Sequence, residues 1–510
     1  MKENEFIYDA IIIGSGMGGM SAASLLAADG YSVLVLEAAH ALGGCSSSYT
    51  RKGFTFESGA TTLIGFDQHQ PMRILEDKLG VTIPKIPLEP SMQVQMGERT
   101  ITRWRDRDNW IEEAVQQFGE EASQKSFWEL SFSVADVVWK VSGRNPFFPP
   151  QKLMEWAALL KNDPTDVWVL PYASKSVKNV ASNRGITNPE FFKFLDEQLM
   201  ISAQAPSDQT AFLFGAPAIT YTNSTNYYVP GGLITMVHTL RDFIEHHGGT
   251  TKTKEAVINV DRKGERFIVT TGKKNGVKNQ YQAKTVISNL PVWNLEEITH
   301  GEMATYFRKE AAKYKHAWGA FTMGIAFKNR IPDDVPLHHQ IHLKPDQKIE
   351  GLHSGSIFVS LSHPNDPVRS PDQMRTMNVS AHVEPEYWFN LNGEYDQTKM
   401  KVQEQIIDLL SARVPGFNKR DINVVFSSTP VTWNNWVYRK KGRVGGIPQH
   451  MSRSLLDWTS AETPFEGFYL TGDTVFPGQG IPGVTLSGIN VYFRLIKHFK
   501  TIRFVEFPRQ

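Results

Sequence analysis

YDAIIIGSGMGGMSAASLLAADGYSVLVLE, Tyr8 to Glu37, runs strand, glycine turn, helix, strand and acid in that order. The apolar run Ala10 to Ile13 reads as a fully buried strand. It breaks at Gly14-Ser15-Gly16-Met17-Gly18-Gly19, which has the spacing G-x-G-x-x-G, and an Ala/Ser/Leu-rich helical segment follows. Tyr31 to Leu36 gives a second buried strand. Glu37 and then Ala38 close it about 20 residues beyond the glycines, where an acidic side chain can accept from a ribose hydroxyl. Gly14 makes the tight turn, Gly16 lets a pyrophosphate approach the backbone, and Gly19 lets helix and strand pack closely. The phosphates then meet unpaired N–H groups at the positive end of the helix. A glycine-rich turn without a ligand would explain the spacing alone. It does not explain the flanking strands and the terminal acid, so the stretch is read as dinucleotide-binding.

At 510 residues the chain exceeds one ordinary core, and 41% hydrophobic with 21% charged residues is a globular composition. A net charge of +1 argues against nucleic acid as a partner. The largest block of like charge is Arg439–Lys441, which reads as solvated surface. Cys45 is the only cysteine, so no internal disulfide forms and a reducing compartment is expected. The opening MKENEFIYD leads straight into the first strand, and no run of about 18 apolar residues occurs. The expectation is a cytoplasmic protein with neither signal peptide nor transmembrane helix.

Beyond Ala39 the chain continues HALGGCSSSYTRKGFTFESGATTL. Gly43-Gly44 makes a loop of close backbone approach, followed by Cys45 and Ser46. Tyr49 to Ser58 is hairpin-like and leads into a small-residue turn, Gly59-Ala60-Thr61-Thr62. The acid after the second strand, the double glycine and Gly53-Phe54-Thr55-Phe56-Glu57-Ser58-Gly59 together resemble the phytoene desaturase and carotenoid isomerase group, within the amine-oxidase-like FAD superfamily. That group usually has Arg or Ala after the double glycine, where Cys45 stands here. The C-terminal stretch FEGFYLTGDTVFPGQGIPGVTLSGINVYFRLIKH also resembles the family. Gly478 to Gly483 is formally a second G-x-G-x-x-G, but only about 27 residues remain after it, too few for another strand, crossover helix and strand. The better reading is a strand, Phe468 to Leu470, that delivers Thr471-Gly472-Asp473 to the cofactor, followed by a loop and a helix opened by Gly483 and Val484. The resemblance implies FAD, with Asp473 on a ribityl hydroxyl and the helix N-terminus favouring negative charge at the flavin N1–C2=O edge. It further implies that a backbone group at Val257 reads the adenine and that Ala283 to Asn289 returns to the cofactor as a buried strand.

The implied fold is α/β: a Rossmann-like FAD-binding domain assembled from residues 1–70, 226–295 and 463–510. The insertions 71–225, helix-rich, and 296–462, mainly antiparallel sheet, form an α+β substrate domain. Within the first insertion Pro71 to Leu79 reads as a short helix, Val94 to Arg103 as a strand, and Asp108 to Gly119 as a helix with an aspartate cap. The aromatic tract holding Trp128, Trp139, Trp156 and Trp168 contains a helix, Gln151 to Lys161, with Leu153, Met154, Trp156, Ala157, Leu159 and Leu160 on one face. That face is read first as core and second as an interfacial surface touching a membrane. Gly231-Gly232 precedes an amphipathic helix ending near His246-His247, and strands follow with a hairpin turn at Asn275-Gly276. Ala320 to Phe327, Gln340 to Leu343, Ser356 to Leu361, Met377 to Val383 and Val424 to Phe426 read as strands, interrupted by a helix from Lys399 to Arg413. His338, His339 and His342 do not complete a metal site, so no metal is expected.

No Ser-His-Asp or paired-carboxylate arrangement stands out, and no catalytic side chain is assigned. The resemblance implies a long polyene substrate in an apolar tunnel, with hydride passing from an allylic C–H to flavin N5 and reoxidation by oxygen or a quinone: a carotenoid desaturase. Polyene isomerisation, saturation of a retinoid-like polyene and a non-catalytic lipid escort of the same fold are the alternatives. An amine oxidase would need an aromatic pair beside the flavin, for which Tyr469 and Trp458 are the nearest candidates.

Overall fold

Ile11 and Ile12 in the first strand and Val33 to Val35 in the second are all 0% exposed, because helices cover both faces of the sheet they build. The computed structural model describes residues 6–506 apart from 160–162, 273–275, 315, 316, 345 and 455. Strands β1 (Ile7–Ile13) and β2 (Val33–Leu36) are followed by a hairpin, β3 (Ser48–Arg51) and β4 (Phe54–Glu57). The next region supplies β5 (Ile86–Leu88), β6 (Met92–Met96), β7 (Arg99–Arg103) and β8 (Asn226–Tyr228). Then come β9 (Thr250–Lys252), β10 (Ala256–Lys263), β11 (Arg266–Gly272) and β12 (Lys278–Ser288). They are followed by β13 (Gly319–Lys328), β14 (His338–His342), β15 (Ser356–Leu361), β16 (Met374–Val383), β17 (Ile422–Ser428) and β18 (Phe468–Leu470).

One sheet runs β10-β11-β12-β1-β2-β9, with β18 also paired to β12. β1 lies parallel to β2 and β12, and β12 lies parallel to β18, so sequence-distant pieces meet edge to edge as the discontinuous domain requires. The helix Ile481–Glu506 then crosses the helix Met17–Ala28 at a point where a Cβ on Gly488 would lie 2.3 Å from the Gly18 carbonyl oxygen. Glycine is what permits that approach.

The second sheet runs β17-β13-β16-β15-β14-β6-β7, antiparallel except where β14 meets β6. Its β6–β7 hairpin comes from the earlier, helix-rich insertion. Val94 to Arg103 is therefore not one strand: the chain reverses at Gly97, whose φ is +63°. The cap of helix Arg107–Phe118 is Asp106, which accepts from Asn109 N–H at 2.9 Å, and not Asp108. The turn expected at Asn275-Gly276 falls partly outside the described residues, although β11 and β12 pair antiparallel on either side of it.

The tract 151–161 departs most from expectation. Its described helix is Leu153–Leu159, and Leu160 and Lys161 lie outside the described residues. Leu153 is 84% exposed, Met154 74% and Trp156 45%, whereas Glu155 is 4% exposed and accepts from Arg494 Nη1 at 3.1 Å. The core reading fails because the helix is turned inside out: the buried Arg494 draws the one acid inward, and the apolar side chains face outward. Val167, Trp168 and Leu170 are exposed nearby.

His338, His339 and His342 sit on β14. His338 and His342 share one face and His339 takes the other, so the strand splits the triplet. His338 Nδ1 pairs with Ser360 Oγ at 2.9 Å, and His339 Nε2–H donates to the Pro336 carbonyl at 2.8 Å.

Candidate functional site

The glycine turn after β1 is held from three sides. Ser15 donates to Glu37 Oε2 from its N–H (2.9 Å) and its hydroxyl (2.6 Å), and the same hydroxyl accepts from Gly43 N–H at 2.9 Å. Glu37 therefore ties the first glycine loop to the second, while its Oε1 accepts from Ala39 N–H at 2.8 Å. Gly16 bridges to Gly43, and a Cβ on Gly16 would stand 2.3 Å from Asn289 Nδ2. Asn289, at the end of β12, accepts from Gly19 N–H through Oδ1 at 3.0 Å. Gly16 offers no side-chain cap and the first turn of helix Met17–Ala28 holds no acid, so its positive end is not neutralised from within. Glu255 N–H donates to the Glu37 carbonyl at 2.9 Å, which brings the start of β10, with Val257, beside Glu37 and Ala38.

β18 delivers the other half. Thr471 N–H donates to the Ser288 carbonyl at 2.9 Å and Gly472 N–H to Ser487 Oγ at 2.9 Å, so strand and terminal helix fix the Thr471-Gly472-Asp473 turn between them. A Cβ on Gly18 would meet Thr471 Oγ1 at 2.6 Å, which shows how closely the two ends of the chain approach.

Asp473 carries a partner that sequence reasoning missed. Arg439 Nη2 donates to Asp473 Oδ2 at 2.7 Å, with side chains 12% and 15% exposed, and its Nε donates to the Arg443 carbonyl at 2.5 Å. Arg439 is thus no part of a solvated patch, because a buried acid holds it. It also contacts the Cys45 thiol, whose pKa burial pushes up while the guanidinium opposes the shift. Arg439 thus places a cation beside Cys45, the residue that follows the double glycine. Its only signal in the sequence was the charge run itself.

These groups open onto a cavity of about 450 Å³. Cys45, Ser46, Gly59, Ala60, Thr61, Thr62, Asp473, Gly483 and Val484 border one part, and Trp139, Met200, Ile201, Phe214, Ala218 and Phe476 much of the rest. Gly14 to Gly19, Glu37, Ala38, Gly43, Gly44, Val257, Asn289 and Gly472 lie outside this lining. Tyr469 and Trp458 do not line the cavity, so they form no aromatic pair in it. His382 does, and burial pushes its imidazole down to about 4, leaving it neutral. Three glutamines in the wall leave buried polar atoms without partners: Gln204 Oε1, Gln449 Oε1 and Gln479 Nε2. Gln204 also holds a left-handed backbone, φ +57°. An isoalloxazine edge, which both donates and accepts, would satisfy such a set.

Residues 17–491 match the family of flavin containing amine oxidoreductase. The chain belongs to that family. As a member of it, the protein is an FAD-dependent oxidoreductase, and its paired glycine loops, helix end and unpartnered glutamines suit that cofactor. It is 27% identical over 503 residues to the chloroplastic prolycopene isomerase of Arabidopsis thaliana, covering 95% of this chain and 82% of that one. It is 24% identical to the neurosporene-forming phytoene desaturase of Rhodobacter capsulatus, covering 96% of this chain and 94% of that one. The solved cyclohexylamine oxidase of Brevibacterium oxydans superposes with a TM-score of 0.61 at 14% identity, over 97% of this chain and all of that one (100%), and thus shares the fold.

Proposed function

We propose that this amine oxidoreductase family member acts on the C–C bonds of a long, carotenoid-like polyene. The observation that carries the reading is one shared cavity. Thr61, Asp473 and Val484, expected at the flavin, border the same space as Met200, Ile201, Phe214, Pro217 and Ala218. A hydrocarbon chain placed there gains about 25 cal/mol for each Å² of apolar surface it buries, so binding needs no charged handle. The names of the two carotenoid-metabolising relatives support that substrate class.

Gly14, Ser15, Gly16, Met17, Gly18 and Gly19, with Gly43 and Gly44, would hold the pyrophosphate. Glu37, Ala38 and Val257 would hold the adenosine. Cys45, Ser46, Gly59 to Thr62, Asn289, Gly472, Asp473, Gly483 and Val484 would hold the ribityl and ring portion. Bound FAD supplies two-electron chemistry at carbon. The chain's own part is to orient the polyene along the apolar wall, exclude water, and hold the Asp473 side chain in place through its ion pair with Arg439. Oxygen or a quinone is the proposed electron acceptor. The outward-facing Leu153, Met154 and Trp156 suit peripheral contact with the membrane from which such a substrate is drawn. Phe148 links that region to the cavity wall, packing on Phe476 with ring centroids 4.6 Å apart.

Mass spectrometry after incubating the FAD-loaded protein with phytoene and with prolycopene tests the reading. Desaturation gives a product two hydrogens lighter. Isomerisation, which the higher identity to prolycopene isomerase favours, changes retention time at constant mass. Unaltered substrate with every polyene tried overturns the proposal.

A further inference from the structure

Desaturation removes hydrogen from two adjacent carbons. One hydrogen leaves with its bonding pair to the flavin oxidant, and the other leaves as a proton while its C–H pair becomes the new double bond. That proton needs an acceptor, and hydrocarbon side chains offer none.

Among the described residues, five titratable side chains border the cavity: Cys45, Glu197, Tyr221, His382 and Asp473. Four are already engaged. Asp473 is closed in its ion pair with Arg439, which also faces Cys45, and burial keeps Cys45 as the thiol. The Tyr221 hydroxyl donates to Met92 Sδ at 3.2 Å, and burial pushes it up to about 12. Glu197 accepts from the Ser356 hydroxyl at 2.5 Å and from Gly355 N–H at 2.9 Å. His382 differs. Its backbone N–H donates to Ser354 Oγ at 3.3 Å and its carbonyl accepts from His353 N–H at 2.8 Å, but its ring nitrogens have no hydrogen-bond partner among the described residues. A neutral imidazole so placed keeps one nitrogen lone pair free to accept.

The sheet sets this ring near the flavin end of the cavity. His382 and Ser380 on β16 pair with Ala320 and Thr322 on β13, and all four border the cavity. Gly319, next to Ala320, lies against the helix Pro430–Trp436, where a Cβ on it would stand 2.7 Å from Pro430. The other end of that helix reaches Gly59, where a Cβ would stand 2.8 Å from the Trp433 ring. Val444 N–H donates to the Trp318 carbonyl at 2.8 Å, and two residues on, a Cβ on Gly446 would strike the Asp473 carbonyl. Gly59 and Asp473, both expected at the flavin, are thus each tied to the strand that neighbours His382. The titratable groups set around the ring are His353, stacked on Trp318 at 4.0 Å, and Glu197.

We infer that His382 is the base of the desaturation, taking the proton from the carbon next to the one that gives up hydride. The inference rests on the polyene reading above, in its desaturation branch. Loss of hydride makes the neighbouring C–H strongly acidic, so a weak base suffices. Burial, which holds the imidazole at about 4, keeps it ready to accept and quick to release the proton once product leaves.

The test is anaerobic mixing of the FAD-loaded protein with phytoene, followed by loss of flavin absorbance, with phytoene binding read separately by quenching of tryptophan fluorescence. His382→Ala and His382→Gln should bleach about a hundredfold more slowly or worse, with binding unchanged to about twofold. Diethyl pyrocarbonate should label His382 in the unsubstituted protein, and bound phytoene should block that label while exposed His246 reacts as before. Bleaching at the unsubstituted rate in either variant, or equal labelling of His382 with and without phytoene, overturns the inference. Phytoene that binds the unsubstituted protein without bleaching it overturns the inference and leaves isomerisation standing, whereas failure to bind any polyene overturns both readings. Should neither variant fold, the protection of His382 in the unsubstituted protein still decides.

Discussion

Arg439 and Asp473 form an ion pair almost closed to solvent, and Cys45 lies against it. Removing one member of a buried pair leaves the other charged and unsatisfied, at a cost of about 3 kcal/mol or more. Arg439→Met should therefore lower the stability of the FAD-free protein by that order in urea unfolding. Arg439→Met with Asp473→Leu should recover much of the loss, since neither charge is then stranded. The sequence marked Asp473 through the strand and glycine around it. Arg439 was visible only as part of a charge run, with nothing to pair it with Asp473, 34 positions away. Gly14 to Gly19 and Glu37 were legible because a turn, a helix start and a strand end are local events. Long-range polar pairs leave no periodic trace.

At the scale of the element, β14 carries a pH response. Burial pushes His338 down to about 3 and His339 and His342 to about 4, from an ordinary value of 6.5. Between those limits the unfolded chain binds protons that the folded strand refuses, so stability rises with pH. The contribution is complete above 6.5 and is lost as pH falls towards 4, by up to about 1.4 kcal/mol per pH unit for each histidine. Urea midpoints at pH 7, 6 and 5 should fall in that order, and His342→Gln should flatten the slope. The strand was legible from its residues, and the environment that neutralises its imidazoles was not. The helix Leu153–Leu159 is the converse case: its composition was plain, but which face turns inward depends on Arg494, contributed by the far end of the chain. If that outward face touches lipid, flotation with anionic liposomes should fall severalfold for Leu153→Glu with Trp156→Glu, with flavin content unchanged. Equal flotation would remove this helix as the contact.

Taken whole, the molecule has one sheet that cannot be completed from either end alone. β1 and β2 need β12, and β12 needs β18, whose following helix Ile481–Glu506 covers the helix Met17–Ala28. Deleting residues 463–510 should abolish flavin absorbance and leave an aggregating protein, because the Gly18 to Ala22 face would be bare. A soluble yellow truncation would refute that dependence. The two-sheet plan was legible from strand patterns. The crossing of β6–β7 into the second sheet was not, because pairing partners hundreds of positions apart carry no mark in either segment.

The close seat of Gly488 on Gly18 has a consequence for biosynthesis. Ribosomes emit the Gly14 turn long before the Thr471-Gly472-Asp473 corner, so a nascent chain has half a nucleotide cradle and a bare helix face for most of its translation. Cofactor capture should accordingly be a late event, since the helix Met17–Ala28 stays uncovered until the closing helix docks.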